Sequence, residues 1–237
     1  MPDPRTTVAL ACRILAMEGL VEGVLGHVSV RTGVDRMLIR CRGEDEQGLM
    51  FTGEPDVRET DLDGTLTGPS EGYRVPNELP IHGELLRARP EVNAVVHAHP
   101  PAVLLCGLAG LELRPVFGSY NIPAMRMALS GVPVYPRSVL IHRPELAREM
   151  IAAMQDKPVC VLRGHGIAVT GATVAEAVIR AIDLNVLATV TLELARLGSR
   201  PAEVPAGDIA ELPDLGPALN SQSVWRHLVA KLRARGM

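Results

Sequence analysis

The sequence predicts an α/β fold. Short runs of strand formers alternate with capped helical segments along one chain of 237 residues. Hydrophobic residues make up 47% and charged residues 22%, which suits a packed core and excludes disorder as the dominant state. No internal repeat of roughly 20–50 residues breaks the pattern. At about 150 residues per domain the length allows one large domain or two small ones. The mixture of elements on one core points to a main domain over 1–205 and a C-terminal extension over 206–237.

The elements follow in order. Thr6 or Thr7 is placed to cap a helix running to Glu18, with Gly19 as its stop. Val28–Arg31 and Met37–Arg40 read as strands around a turn, and Gly48–Thr52 as a third strand. Glu54 to Val75, rich in Asp, Gly, Thr and Pro, reads as loops and short edge strands. Asn77 is placed to cap a helix from Glu78 to Ala88, with Pro80 in its first turn. Asn93–Ala98 is a strand, and a short helix follows Pro100-Pro101. Val159–Arg163 and Ile167–Thr170 are strands around Gly164-His165-Gly166. Thr173 with Glu176 forms a capping box for a helix to Leu197. Residues 199–217 read as loosely held, and a terminal helix follows over Gln222–Ala234.

Several function classes fall away at this stage. The net charge is −3 and there are six aromatic rings, which argues against a nucleic-acid partner. No apolar run reaches the roughly 18–20 residues needed to cross a bilayer, and Met1 to Thr7 does not resemble a signal peptide. Four scattered cysteines without a C-x-x-C pair read as reduced thiols of a cytoplasmic protein.

The chemistry-bearing residues are histidines. In a strand, residues i and i+2 share a face, so His97 and His99 present two imidazoles roughly 6–7 Å apart at Cβ. His165, between two glycines at a strand end, is the candidate third ligand. Three neutral imidazoles with an open position suit a catalytic divalent metal, zinc first, with manganese, iron or cobalt fitting the same site. Glu78 stands four residues before His82, so both can share a helix face; it is the candidate fourth ligand or proton shuttle. His82 itself reads equally well as packed against its helix. Gly26-His27-Val28-Ser29 is a glycine turn entering a strand, where an anion can dock.

The ordered set Gly26-His27-Val28-Ser29, Thr52-Gly53, Glu78-x-x-x-His82, His97-x-His99 and Gly164-His165-Gly166 resembles the class II aldolase/adducin family over about residues 5–200. The resemblance implies a three-layer α/β/α fold with a mainly antiparallel central sheet. It implies a homotetramer with active sites at subunit interfaces, metal on His97, His99 and His165, and Glu78 as the catalytic acidic residue. Its enzymes include sugar-phosphate aldolases, an epimerase and hydroxyaromatic carboxylate decarboxylases.

Departures from the aldolase pattern point to one branch. His27 stands where the aldolases place a phosphate-holding Asn, and Pro76-Asn77 where they place a Ser pair. Pro76 offers no donor, so much of a phosphate's ligand shell is lost. The aldolases' acidic tyrosine is replaced near Arg126-Met127, and Tyr120 close by is the candidate catalytic tyrosine. The departures resemble the decarboxylase branch, which acts on hydroxylated aromatic or pyridine (di)carboxylates. On that reading Glu78, His27 and Tyr120 are catalytic, and Ser29, Thr52, Gly53, Asn77 and Arg163 (or Arg126) hold a small-molecule substrate. A sugar-phosphate aldolase, epimerase or dehydratase is the first alternative, and a non-catalytic adducin-like module the second.

Overall fold

A computed structural model describes residues 3–236; Met1, Pro2 and Met237, the outer ends of the two expected segments, lie outside them. Its helices are α1 (Pro4–Met17), α2 (Leu79–Ala88), α3 (Pro101–Ala109), α4 (Ile122–Ala128), α5 (Pro144–Met154), α6 (Val174–Arg196), α7 (Ala206–Glu211) and α8 (Val224–Ala234). Its strands are β1 (His27–Arg31), β2 (Arg36–Arg40), β3 (Val57–Asp61), β4 (Ala94–Ala98), β5 (Val134–Tyr135), β6 (Val159–Leu162) and β7 (Gly166–Gly171). The strands form one sheet in the order β3-β2-β1-β4-β7-β6-β5. Every pairing is antiparallel except the parallel one of β5 with β6.

Alternation of side chains along the strands builds two cores. Val28, Ala94, Val96, Ala98, Ile167 and Val169 face one way, onto α1, α3, α4, α6 and α8. Met37, Ile39, Val95, Cys160 and Ala168 face the other way, onto α2 and α5. These are the three layers the resemblance implied. No helix of the described residues is long and apolar enough to cross a membrane.

Several local expectations are corrected. Asp3, not Thr6 or Thr7, caps α1, its carboxylate accepting from the Arg5 N–H at 2.8 Å. Gly48–Thr52 is not a strand: Gly48 has φ 99°, and Leu49–Phe51 is a 3₁₀ turn closed by the Thr52 hydroxyl on the Leu49 carbonyl. At α2 the cap position belongs to Glu78, and Asn77 lies exposed outside it. Thr173 does cap α6, accepting from the Glu176 N–H at 3.1 Å. The 199–217 segment is tied down by the Arg114–Glu203 pair and by the Val204 N–H on the Pro115 carbonyl.

The terminal helix belongs to the packed structure. Leu228 and Leu232 are buried in the core shared with α1, and the Lys231 ammonium sits 2.7 Å from the Glu18 carboxylate. Leu232→Ala is therefore expected to cost about 2–5 kcal/mol of stability, read from the urea midpoint at unchanged slope.

Candidate active site

The second core contains a polar pocket, because three polar side chains take sheet positions that apolar ones occupy elsewhere. In β4, Val95 faces α2, so His97 two residues on faces it too. The β1–β4 register sets His27 directly opposite His97 and Ser29 opposite Val95. His99 follows just beyond the strand. His165 rides the tight turn between β6 and β7, where its N–H donates to the Leu162 carbonyl at 3.0 Å. Gly164 takes φ +65° there, and a Cβ on Gly166 would lie 2.3 Å from the Ala98 carbonyl oxygen. The bare glycine lets the turn close on the end of β4, leaving the His165 ring 4.9 Å from His97 and 4.8 Å from His99 between centroids.

Glu78 reaches these rings from the start of α2. Its Oε1 accepts the Ile141 N–H at 3.0 Å, and its Oε2 lies 3.2 Å from His97 Nε2 and 3.4 Å from His165 Nε2. Ligand atoms of Glu78, His97, His99 and His165 all fall within 4.8 Å of one another. The donor chemistry fits a divalent ion. His97 Nδ1 donates to the Ile167 carbonyl at 2.9 Å, which leaves the Nε2 lone pair facing the cluster. Both His165 ring nitrogens are buried without a hydrogen-bond partner. Burial, then the neighbouring His97 and His165, lower His99 to about 3, so it is a neutral imidazole ready to ligate. Burial alone would raise the Glu78 carboxyl, but the adjacent His165 and His97 outweigh it and hold it well below the usual carboxylate range.

Behind this cluster runs a buried chain. Ser29 Oγ lies 2.6 Å from His82 Nδ1, and His82 Nε2 lies 2.7 Å from His27 Nδ1. The His27 ring is 4.9 Å from that of His97. Burial, then nearby His97, lowers His82 to about 3, and burial, then His82 and His97, lowers His27 well below the usual histidine range.

The other residues expected at the site make no hydrogen bond to these side chains among the described residues. The Thr52 hydroxyl serves its own turn, and the Gly53 N–H donates to Asp56 Oδ2 at 2.7 Å. Tyr120 is 73% exposed and meets the Phe117 ring edge-on; no hydrogen bond or ring contact joins it to the histidines among the described residues. Arg163 is exposed two residues before His165. Arg126 donates to the Leu212 carbonyl at 2.9 Å. The four cysteines are free and buried, and burial pushes Cys12 and Cys160 up to about 12, so no thiolate nucleophile is available.

Sequence reasoning missed two arginines. Arg42 and Arg74 face each other across an antiparallel bridge, with N–H···O distances of 2.9 and 2.8 Å. Both line a cavity of about 510 Å³ that also touches Pro76 and Asn77, the turn that delivers Glu78. Arg42 Nη2 donates to Val24 in the loop entering His27, while its Nε is buried without a partner. Glu44 and Glu46 also line the cavity, and Glu46 is already paired with Arg40.

The chain is similar to several known proteins. The 3,4-dihydroxyphthalate decarboxylase of Arthrobacter keyseri is 50% identical over 233 residues, covering 97% of this chain and 94% of that protein. The enzyme of the same name from Terrabacter sp. (strain DBF63) is 51% identical over 230 residues, covering 96% of each. The crystal structure of an aldolase II superfamily protein from Pseudomonas syringae superposes with a TM-score of 0.81 at 20% identity, over 98% of this chain and 93% of that one. The family described as Class II Aldolase and Adducin N-terminal domain matches residues 6–192. The chain therefore belongs to the class II aldolase and adducin family.

Proposed function

We propose that this enzyme is a divalent-metal-dependent carbon–carbon lyase that decarboxylates a hydroxylated aromatic dicarboxylate of the 3,4-dihydroxyphthalate kind. The observation that carries the reading is near-full-length likeness, at about half identity, to two decarboxylases of that substrate. The Glu78, His97, His99 and His165 cluster supports it with a donor set suited to such chemistry.

A divalent ion on His97, His99 and His165, zinc first among manganese, iron and cobalt, would supply Lewis-acid stabilisation of charge on the substrate's oxygens. The chain's own groups do the rest. Glu78, held as a carboxylate, takes the proton of the ring hydroxyl and returns it to the ring carbon that bears the leaving carboxylate. The electron pair of the broken C–C bond goes to the ring, CO2 departs, and a solvent proton restores the hydroxyl. His27 hydrogen-bonds an anionic oxygen of the substrate beside the cluster.

Arg42 and Arg74 seat the second carboxylate. Like charges directly opposite on paired strands repel, and an anion between them offsets that repulsion. A planar guanidinium also grips a carboxylate in two places. Asn77 lines the same cavity, and Arg163, two residues before His165, would meet the substrate from the metal side. Tyr120, exposed on its own chain, would serve a neighbouring site in a homotetramer with interfacial active sites. Residues 1–205 then form the catalytic unit and 206–237 an extension seated on α1; the reduced thiols suit a cytoplasmic enzyme.

The test is an assay of the metal-loaded protein with 3,4-dihydroxyphthalate and, separately, a ketose 1-phosphate. One CO2 per dicarboxylate consumed supports the reading. Cleavage of the ketose phosphate without CO2 from the dicarboxylate would replace it with the aldolase alternative. Arg42→Ala is expected to raise KM for the dicarboxylate by about 10–100-fold, the worth of a charged hydrogen bond. A substrate lacking the second carboxylate should show little change.

A further inference from the structure

His82 is fully buried on α2, takes no part in the chemistry above, and yet has both ring nitrogens within hydrogen-bond distance of site residues. Ser29 Oγ, His82 and His27 Nδ1 form a single line of three polar groups. A neutral imidazole carries one N–H and one lone pair, so the line has two internally consistent proton arrangements. Burial of both rings favours their uncharged forms.

In the first arrangement the Ser29 hydroxyl donates to His82 Nδ1. His82 Nε2–H then donates to His27 Nδ1, and His27 bears its proton on Nε2. In the second arrangement every donor is reversed: His27 Nδ1–H donates to His82 Nε2, and His82 Nδ1–H donates to Ser29 Oγ. The Ser29 hydroxyl proton then needs another acceptor. None is in place: Ser29 is fully buried, makes no other hydrogen bond among the described residues, and sits between Ile39 and Val95 across the sheet. An orphaned buried hydroxyl disfavours the second arrangement by about tenfold or more in population.

We propose that Ser29 and His82 are positioning residues that hold His27 in its Nε2–H tautomer, so that His27 meets the substrate as a neutral hydrogen-bond donor and not as a base. Only the identity of the oxygen it meets rests on the decarboxylase reading; the tautomer does not. A neutral donor that gave up its proton would become an imidazolate, so ring protonation falls to Glu78 and His27 holds the anionic oxygen in place.

The tautomer is directly measurable. Two-bond ¹H–¹⁵N correlation spectra of full-length, ¹⁵N-histidine-labelled, zinc-loaded protein should show protonated Nε2 and bare Nδ1 on both His27 and His82. A protonated Nδ1 on either ring overturns the proposal. Ser29→Ala should erode the preference toward a mixture and lower kcat by about tenfold with KM little changed. Ser29→Thr, which keeps the hydroxyl, should restore both the spectrum and kcat. A Ser29→Ala protein with the wild-type spectrum would remove Ser29 from the role. The predicted spectrum without CO2 release would sink the decarboxylase reading alone, and the reversed tautomer with CO2 release would sink this proposal alone.

Discussion

Glu78→Gln is expected to lower kcat for CO2 release by about 10²–10⁴-fold, the usual worth of a positioned general acid–base, while the protein stays folded and metal-loaded. Gln keeps the shape and can still accept the Ile141 N–H, so the start of α2 should hold its place. What Gln cannot do is take a proton from the substrate hydroxyl and carry it to the ring carbon. The three imidazoles remain to hold the ion. Metal content by elemental analysis and the melting temperature should therefore stay close to wild type. Full turnover in the metal-loaded Gln variant would show that another group moves the proton.

Stripping the divalent ion should have an effect at least as large. Dialysis against a chelator is expected to bring CO2 release down on the order of 10³-fold or more, since a Lewis acid contributes several kcal/mol of charge stabilisation. It should also lower thermal stability. At 100 times its dissociation constant, a ligand of the folded state adds about 2.7 kcal/mol. The physical cause is in the cluster: His99 Nε2 faces His97 Nε2 at 2.8 Å, and neither nitrogen of His165 has a hydrogen-bond partner. Zinc or manganese added back should restore activity and melting temperature together. His165→Ala should lose metal in the same way, whereas His142→Ala, in the exposed loop before α5, should not. Unchanged turnover in protein verified as metal-free would break the account of this site.

The candidate histidine ligands were legible in the sequence because their signals are local. The period of a strand puts His97 and His99 on one face, and two glycines announce the turn that carries His165. Glu78 was found by its spacing to His82, although it sits at the cap position and not on the helix face. The rest depends on contacts between distant segments. Arg42 and Arg74 meet only through a bridge between separate loops, and Ser29 meets His82 only once α2 lies on the sheet. α5 was not read from the sequence, although Pro144 occupies its first helical position, where a missing N–H costs nothing. α4 was missed as well, although Asn121 caps it by accepting from the Ala124 N–H and Pro123 stands in its first turn. The apparent strand at Gly48–Thr52 failed because Gly48 adopts a positive φ that turns the chain into a 3₁₀ turn.

The most direct measurement runs the metal-loaded enzyme on 3,4-dihydroxyphthalate in D2O and follows the gas and the aromatic product by mass spectrometry. The account predicts one CO2 per turnover and a product carrying one deuterium on the ring carbon that lost the carboxylate. Absence of CO2, or a product with no deuterium at that carbon, would contradict it.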